Sequence, residues 1–157
     1  MNRVKNYNTK FRKKQNNISC KDYALFLVSL RAQSIGQLRE KLQKKKYPDE
    51  EIDAAIERLA ELNYLNDQQF AQIYLENLKK YKSFGYFGIK KKLIEKKLPR
   101  KEVEALLKSF TLKDETEIAR RLIDKNNKKS KEQLVRALQS RGFRADVVFK
   151  LLKYSYE

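Results

Sequence analysis

Apolar residues recur along this chain with a helical period, and the pattern itself repeats. Leu38, Leu42, Tyr47, Ile52 and Ile56 follow Ser34 at offsets of four, eight, thirteen, eighteen and twenty-two residues. Ile89, Leu93, Leu98, Val103 and Leu107 follow Gly85 at the same offsets, and Leu134, Leu138, Phe143, Val148 and Leu152 follow Ser130. A step of four puts both residues of a pair on one helical face, and the steps of five span a turn between helices. The chain's only prolines, Pro48 and Pro99, fall at one phase of the first two frames. Proline is tolerated there, in a helix's first turn, and would break its interior.

Upstream of each frame lies another apolar helix, in which Tyr23, Tyr74 and Ala119 are equivalent by offset, as are Leu27, Leu78 and Ile123. Ser34, Gly85 and Ser130 suit N-caps, and Ser34 with Gln37 and Ser130 with Gln133 have capping-box spacing. Asn66 or Asp67 is expected to cap the helix before the second frame, and Asp114 the helix before the third. The pattern predicts nine helices, over 22–33, 35–46, 49–62, 67–81, 86–97, 100–109, 114–126, 131–141 and 145–155. They form three units of three helices, offset by 51 and then 45 residues. Units that bury their faces partly against neighbours stack into elongated, curved arrays. Five matched offsets in three copies, with two matched prolines, argue against one compact all-α domain whose repeat is accidental. The expected organisation is a flexible basic arm over 1–21, then three-helix repeats over 22–64, 65–110 and 111–157.

Composition agrees with an all-α chain. Only six of 157 residues are Gly or Pro, too few for the tight turns of an all-β fold. Residues 1–20 are polar, basic and rich in Asn, without a sustained period, as a mobile arm would be. A single cysteine, Cys20, excludes an intramolecular disulfide and fits a reducing compartment. No apolar run reaches membrane-spanning length, and the N-terminus lacks the apolar stretch of a secretory signal, so a cytoplasmic location is expected.

Charge changes the picture more. The net charge is +17. Residues 1–21 contribute +7 and residues 76–101 contribute +8, while the remainder is nearly balanced. Two concentrated patches point to an anionic partner, whether nucleic acid, acidic protein or both. In the second patch Lys79, Lys80 and Lys82 end one helix. Lys90, Lys91, Lys92, Lys96 and Lys97 populate the next, and Arg100 and Lys101 begin a third. Ile89 and Leu93 take the buried face, which leaves most lysines outward. Lysines near helix C-termini also favour the helix dipole, but charge this dense is costly without a partner. Tyr81, Phe84, Tyr86 and Phe87 are interleaved with the lysines, an alternation that single-strand binding uses. The plainer reading of these aromatics is that they fill the junction between helices, with Tyr86 the ring expected to be exposed. Arg120, Arg121, Arg136, Arg141 and Arg144 give the third unit arginine, which suits bidentate contacts to carboxylate or phosphate.

Catalytic chemistry finds little support. The chain has no histidine, which removes the commonest general base and metal ligand. Cys20 has no histidine beside it, Cys/His metal sites are excluded by count, and Gly85 with Gly88 lacks the lysine-Ser/Thr context of a phosphate loop. The acidic cluster Asp49, Glu50, Glu51 and Asp53 favours the positive end of the helix after Pro48 more than it suggests a cation site. Asp67 reads likewise as a first-turn carboxylate, and Phe70, Ala71 and Tyr74 as core.

From about residue 22 to 154 the sequence resembles the RecX family of bacterial regulators of the RecA recombinase. The strongest stretch is Leu62-Asn63-Tyr64-Leu65-Asn66-Asp67 with Phe70-Ala71 and Tyr74. Gly85, Ile89 and Leu93 match the family's next helix start. Lys41-Leu42, Lys92-Leu93 and Ala137-Leu138 occupy corresponding helices, and Gly142-Phe143 keeps the usual glycine-hydrophobe ending. Two features depart: Lys46 and Lys97 replace that glycine in the first two units, and Tyr86 stands where the family often has proline. The resemblance implies three tandem three-helix repeats and a non-catalytic regulator without cofactors. It would lodge in the groove of the RecA–DNA filament and restrain its growth, ATP hydrolysis, strand exchange and co-protease activity. The expected partners are that filament and single- or double-stranded DNA, with the chain acting as a monomer and no membrane involved. A plain nucleic-acid-binding helical protein is the alternative class, marked by a steep salt slope on DNA alone.

Overall fold

A computed structural model describes residues 18–153. Among these residues the chain forms nine helices and no strand. They are α1 (Cys20–Leu30), α2 (Ile35–Lys44), α3 (Asp49–Glu61), α4 (Asp67–Tyr81), α5 (Tyr86–Glu95), α6 (Arg100–Leu107), α7 (Leu112–Lys125), α8 (Lys131–Ser140) and α9 (Ala145–Leu152). The chain divides into two compact units between Asn66 and Asp67.

The first unit holds α1–α3. Ser19 caps α1, its hydroxyl accepting from the Asp22 N–H at 3.1 Å. This start lies earlier than the arm reading expected: Cys20 and Lys21 are helical, and Cys20 is buried in the unit's core. The arm over 1–17 lies outside the described residues. Ser34 and Gln37 form the expected capping box at the head of α2. Leu38, Leu42, Ile52 and Ile56 are buried together with Ala24, Ala55, Leu59 and Leu65. Tyr47 lies half-buried against them and donates its hydroxyl to the Ile18 carbonyl at 2.8 Å.

The second unit holds α4–α9 around one shared core. Ile89, Leu93, Leu98, Val103 and Leu107 of the second frame pack in the same cluster as Leu138, Phe143 and Val148 of the third. Burial of each large aliphatic side chain here is worth about 1.5–3 kcal/mol. Ser130 and Gln133 form the expected capping box of α8. The cap of α7 is Thr111, not Asp114: Asp114 is the third residue of the helix and closes the capping box, accepting from the Thr111 N–H at 2.9 Å. Helix α7 therefore begins two residues before the expected start.

The two lysines that depart from the family pattern adopt the backbone that glycine would. Lys46 and Lys97 have φ of 62° and 59°, and Gly142 has 74° at the equivalent place. This left-handed residue stops the second helix of each triplet and aims the chain at the next helix start. Side-chain-bearing residues pay about 1–2 kcal/mol for that geometry, so the turn is retained against local preference.

Candidate functional site

The basic stretch is carried by the end of α4, all of α5 and the start of α6. Gly85 and Gly88 explain how α5 is seated. A Cβ on either would come within 3.0 Å of backbone atoms of the turn at Arg141–Phe143. The reason for glycine at 85 is thus close approach of two backbones, since its φ is an ordinary −82°. The Gly85 N–H donates to the Arg141 carbonyl at 3.1 Å, and the Phe87 N–H to the Gly142 carbonyl at 2.9 Å.

Glu115 completes this seat. Its side chain is fully buried, at 0% exposure. One carboxylate oxygen accepts from the Tyr86 N–H at 2.9 Å and the Arg144 N–H at 2.8 Å, and the other from the Arg144 Nε at 2.5 Å. A single carboxylate from α7 therefore satisfies free donors at the starts of both α5 and α9, where negative charge is favoured. The Arg144 guanidinium also lies over the Tyr86 ring, 4.9 Å from its centroid. Tyr86 is consequently not the exposed ring: it is half-buried beside Phe110, and of the four interleaved aromatics the exposed ones are Tyr81 and Phe87.

The expected contact residues divide by their surroundings. Arg121 donates to the carbonyls of Lys79 and Lys80, closing the C-terminus of α4. Lys79 pairs with Asp114 at 3.2 Å and Glu76 at 3.4 Å. Burial works against its charge, but these two carboxylates prevail and raise its pKa. Arg141 is half-buried and bonds back to the Ala137 carbonyl at 3.1 Å. Lys92 pairs with Glu95 at 2.8 Å, which raises the Lys92 pKa and lowers that of Glu95. Lys80 lies over Tyr81 and Lys96 over Tyr74, at 5.2 and 4.9 Å from the ring centroids. Arg120 and Arg136 are exposed on α7 and α8.

Six cations are different. Lys82, Lys90, Lys91, Lys97, Arg100 and Lys101 have no carboxylate within ion-pair distance among the described residues. Lys90, Lys91 and Lys97 share one open face of α5 and its C-terminal turn with Phe87, Ile94 and Glu95. A second open face, between the end of α4 and α7, holds Lys80 and Arg120 beside Glu76 and Glu117. No group of three or more Cys, His, Asp or Glu that could hold a metal occurs among the described residues. No described helix is long and apolar enough to cross a membrane.

Triplets of helices in tandem, one of them displaying a strip of concentrated positive charge, define a helical-repeat protein whose concentrated surface chemistry is electrostatic. The sequence pattern of the RecX first three-helix domain matches residues 20–59, which span α1 to α3. The regulatory protein RecX of Chlorobaculum tepidum is 30% identical over 142 residues, covering 86% of this chain and 87% of its own length. That of Clostridium beijerinckii is 28% identical over 149 residues, covering 88% of this chain and 69% of its own. A crystal structure of RecX from Lactobacillus salivarius superposes with a TM-score of 0.73 at 21% identity, covering 85% of this chain and 92% of that one. The chain belongs to the RecX family of regulatory proteins.

Proposed function

We propose that this chain regulates the RecA recombinase by binding its filament on DNA through the outward face of α5 and the turns that flank it. Binding across neighbouring protomers would restrict their relative movement, and with it ATP hydrolysis, filament extension, strand exchange and co-protease activity. The observation that carries this reading is the cluster of cations without a carboxylate at ion-pair distance among the described residues. Six such positive side chains lie close in sequence around one helix, an arrangement that favours an anionic partner. The paired residues Lys79, Lys92 and Arg121 serve the fold under this reading, while Lys82, Lys90, Lys91, Lys97, Arg100 and Lys101 serve the contact.

The test is RecA ATP hydrolysis on single-stranded DNA, titrated with wild type and with Lys90→Glu/Lys91→Glu/Lys97→Glu. Wild type should suppress hydrolysis, and the variant should need about tenfold or more protein for equal suppression. An unchanged titration removes α5 from the mechanism. Exposed Tyr81 and Phe87 among lysines also favour a second reading, binding to single strands alone. Under that reading the chain binds bare DNA and filament equally.

A further inference from the structure

The open face of α5 is not merely basic. Phe87 is 58% exposed and Ile94 40% exposed, and the two stand seven residues apart on one helix. Residues at that spacing lie on the same face two turns apart, which makes an apolar seam along the helix. Lys90 and Lys91 stand one turn from Phe87, and Lys97 is three residues beyond Ile94, so cations border the seam along its length. The one carboxylate on this face, Glu95, is held by Lys92 at 2.8 Å. The face therefore offers a partner apolar contact along its middle and positive charge on either side.

Two kinds of anionic partner meet such a surface differently. A phosphate backbone needs cations and can use the face of a ring for base stacking, but an aliphatic side chain such as Ile94 offers no stacking platform. Tyr86 also packs edge-on to the Phe87 ring, with centroids 5.4 Å apart. An amphipathic helix with an acidic margin uses every part: its apolar anchors at i and i+7 meet Phe87 and Ile94, and its carboxylates meet the lysines.

We propose that the Phe87–Ile94 seam docks an acidic amphipathic helix of a protein partner, so that α5 reads protein and not DNA. This rests on the proposed regulation of the RecA filament, and it names the chemistry by which that contact is made. The flanking cations speed encounter and set register, while the apolar pair holds the complex together.

The experiment measures affinity of the full chain for two probes, RecA filament on single-stranded DNA and a labelled oligothymidine. Variants are Phe87→Ser/Ile94→Ser and, as a conservative control, Phe87→Leu/Ile94→Leu. Both side chains are exposed, so the substitutions should leave the helical circular dichroism and melting unchanged, and the leucine pair should restore binding if any effect is one of apolar contact. The serine variant should lose about tenfold or more affinity for the filament, with oligothymidine affinity within about twofold of wild type. Filament affinity that survives the serine pair overturns the docking seam, and so does a parallel fall in oligothymidine affinity, which would mark a base-stacking site. If wild type itself fails to bind the filament, the proposed function falls, and the seam with it.

Discussion

Replacing Glu115 by Gln removes one charge and changes almost no volume, yet it should destabilise the second unit severely. The carboxylate is fully buried and accepts from three donors, the N–H groups of Tyr86 and Arg144 and the Arg144 Nε. A hydrogen bond to a charged group is worth about 1.5–3 kcal/mol, and three such bonds to one group are not additive. Breaking a buried ion pair costs about 3–5 kcal/mol when one charge is left unpaired. The Arg144 side chain keeps 29% exposure, so water recovers part of that loss. A net cost of about 3 kcal/mol follows, against a stability of about 5–15 kcal/mol typical of a whole protein. For a domain of this size that lowers the melting temperature by about 10 °C or more. Urea unfolding followed by circular dichroism measures it, with Arg144→Met alone and combined with Glu115→Gln to close the cycle. The two single losses should exceed the double loss by more than about 1 kcal/mol if they share one interaction. A loss in Glu115→Gln below about 0.5 kcal/mol, or full additivity, would show that Glu115 does not fasten the starts of α5 and α9.

Three further substitutions probe other joints. Gly88→Ala drives a Cβ against the Arg141 carbonyl group, where backbone cannot yield easily, so urea unfolding should show a loss of about 1–3 kcal/mol. Lys46→Gly relieves a left-handed residue at φ 62° in the first unit; the relief of about 1–2 kcal/mol, less about 0.5–1 for glycine's extra freedom in the unfolded chain, should raise stability by up to about 1.5 kcal/mol in the same measurement. Asp114 supplies a pH dependence. Burial opposes its charge, but the Thr111 donors and Lys79 prevail and hold its pKa below the ordinary aspartate value. The stability it adds is complete above the unfolded pKa and is lost as pH falls through the lower folded one. Asp114→Asn should therefore flatten the acid limb of thermal stability below about pH 4, and an unchanged limb would refute the assignment.

The parts of this fold legible in the sequence are those whose partners lie within a few residues. Ser34 with Gln37 and Ser130 with Gln133 mark helix starts because both halves of each capping box sit on one turn. The repeated offsets locate the core because a helix must turn one face inward: Ile89, Leu93, Leu138 and Val148 are all buried. The sequence does not single out Thr111 as a cap because Asp114, three residues on, is an equally good one in isolation. Glu115 is not legible for a different reason, since its partners Tyr86 and Arg144 each lie 29 residues away. One signal was present: Glu115, Ile118, Ala119 and Leu122 share a helical face, so a carboxylate occupies a slot otherwise apolar and buried. Arg121 likewise read as a binding residue because the carbonyls it caps lie some 41 residues upstream. Charge counts alone could not separate Lys79 and Lys92, which have carboxylates at ion-pair distance, from Lys90, Lys91 and Lys97, which have none that close among the described residues.

The most direct measurement compares affinity for the RecA filament on single-stranded DNA with affinity for the same DNA bare, across a salt series. If α5 contacts protein in place of phosphate, filament binding is tighter by about tenfold or more and its salt slope is the shallower of the two, because fewer phosphates are neutralised and fewer counterions released. Equal affinities with equal, steep slopes would contradict regulation through the filament and leave a nucleic-acid-binding helical protein.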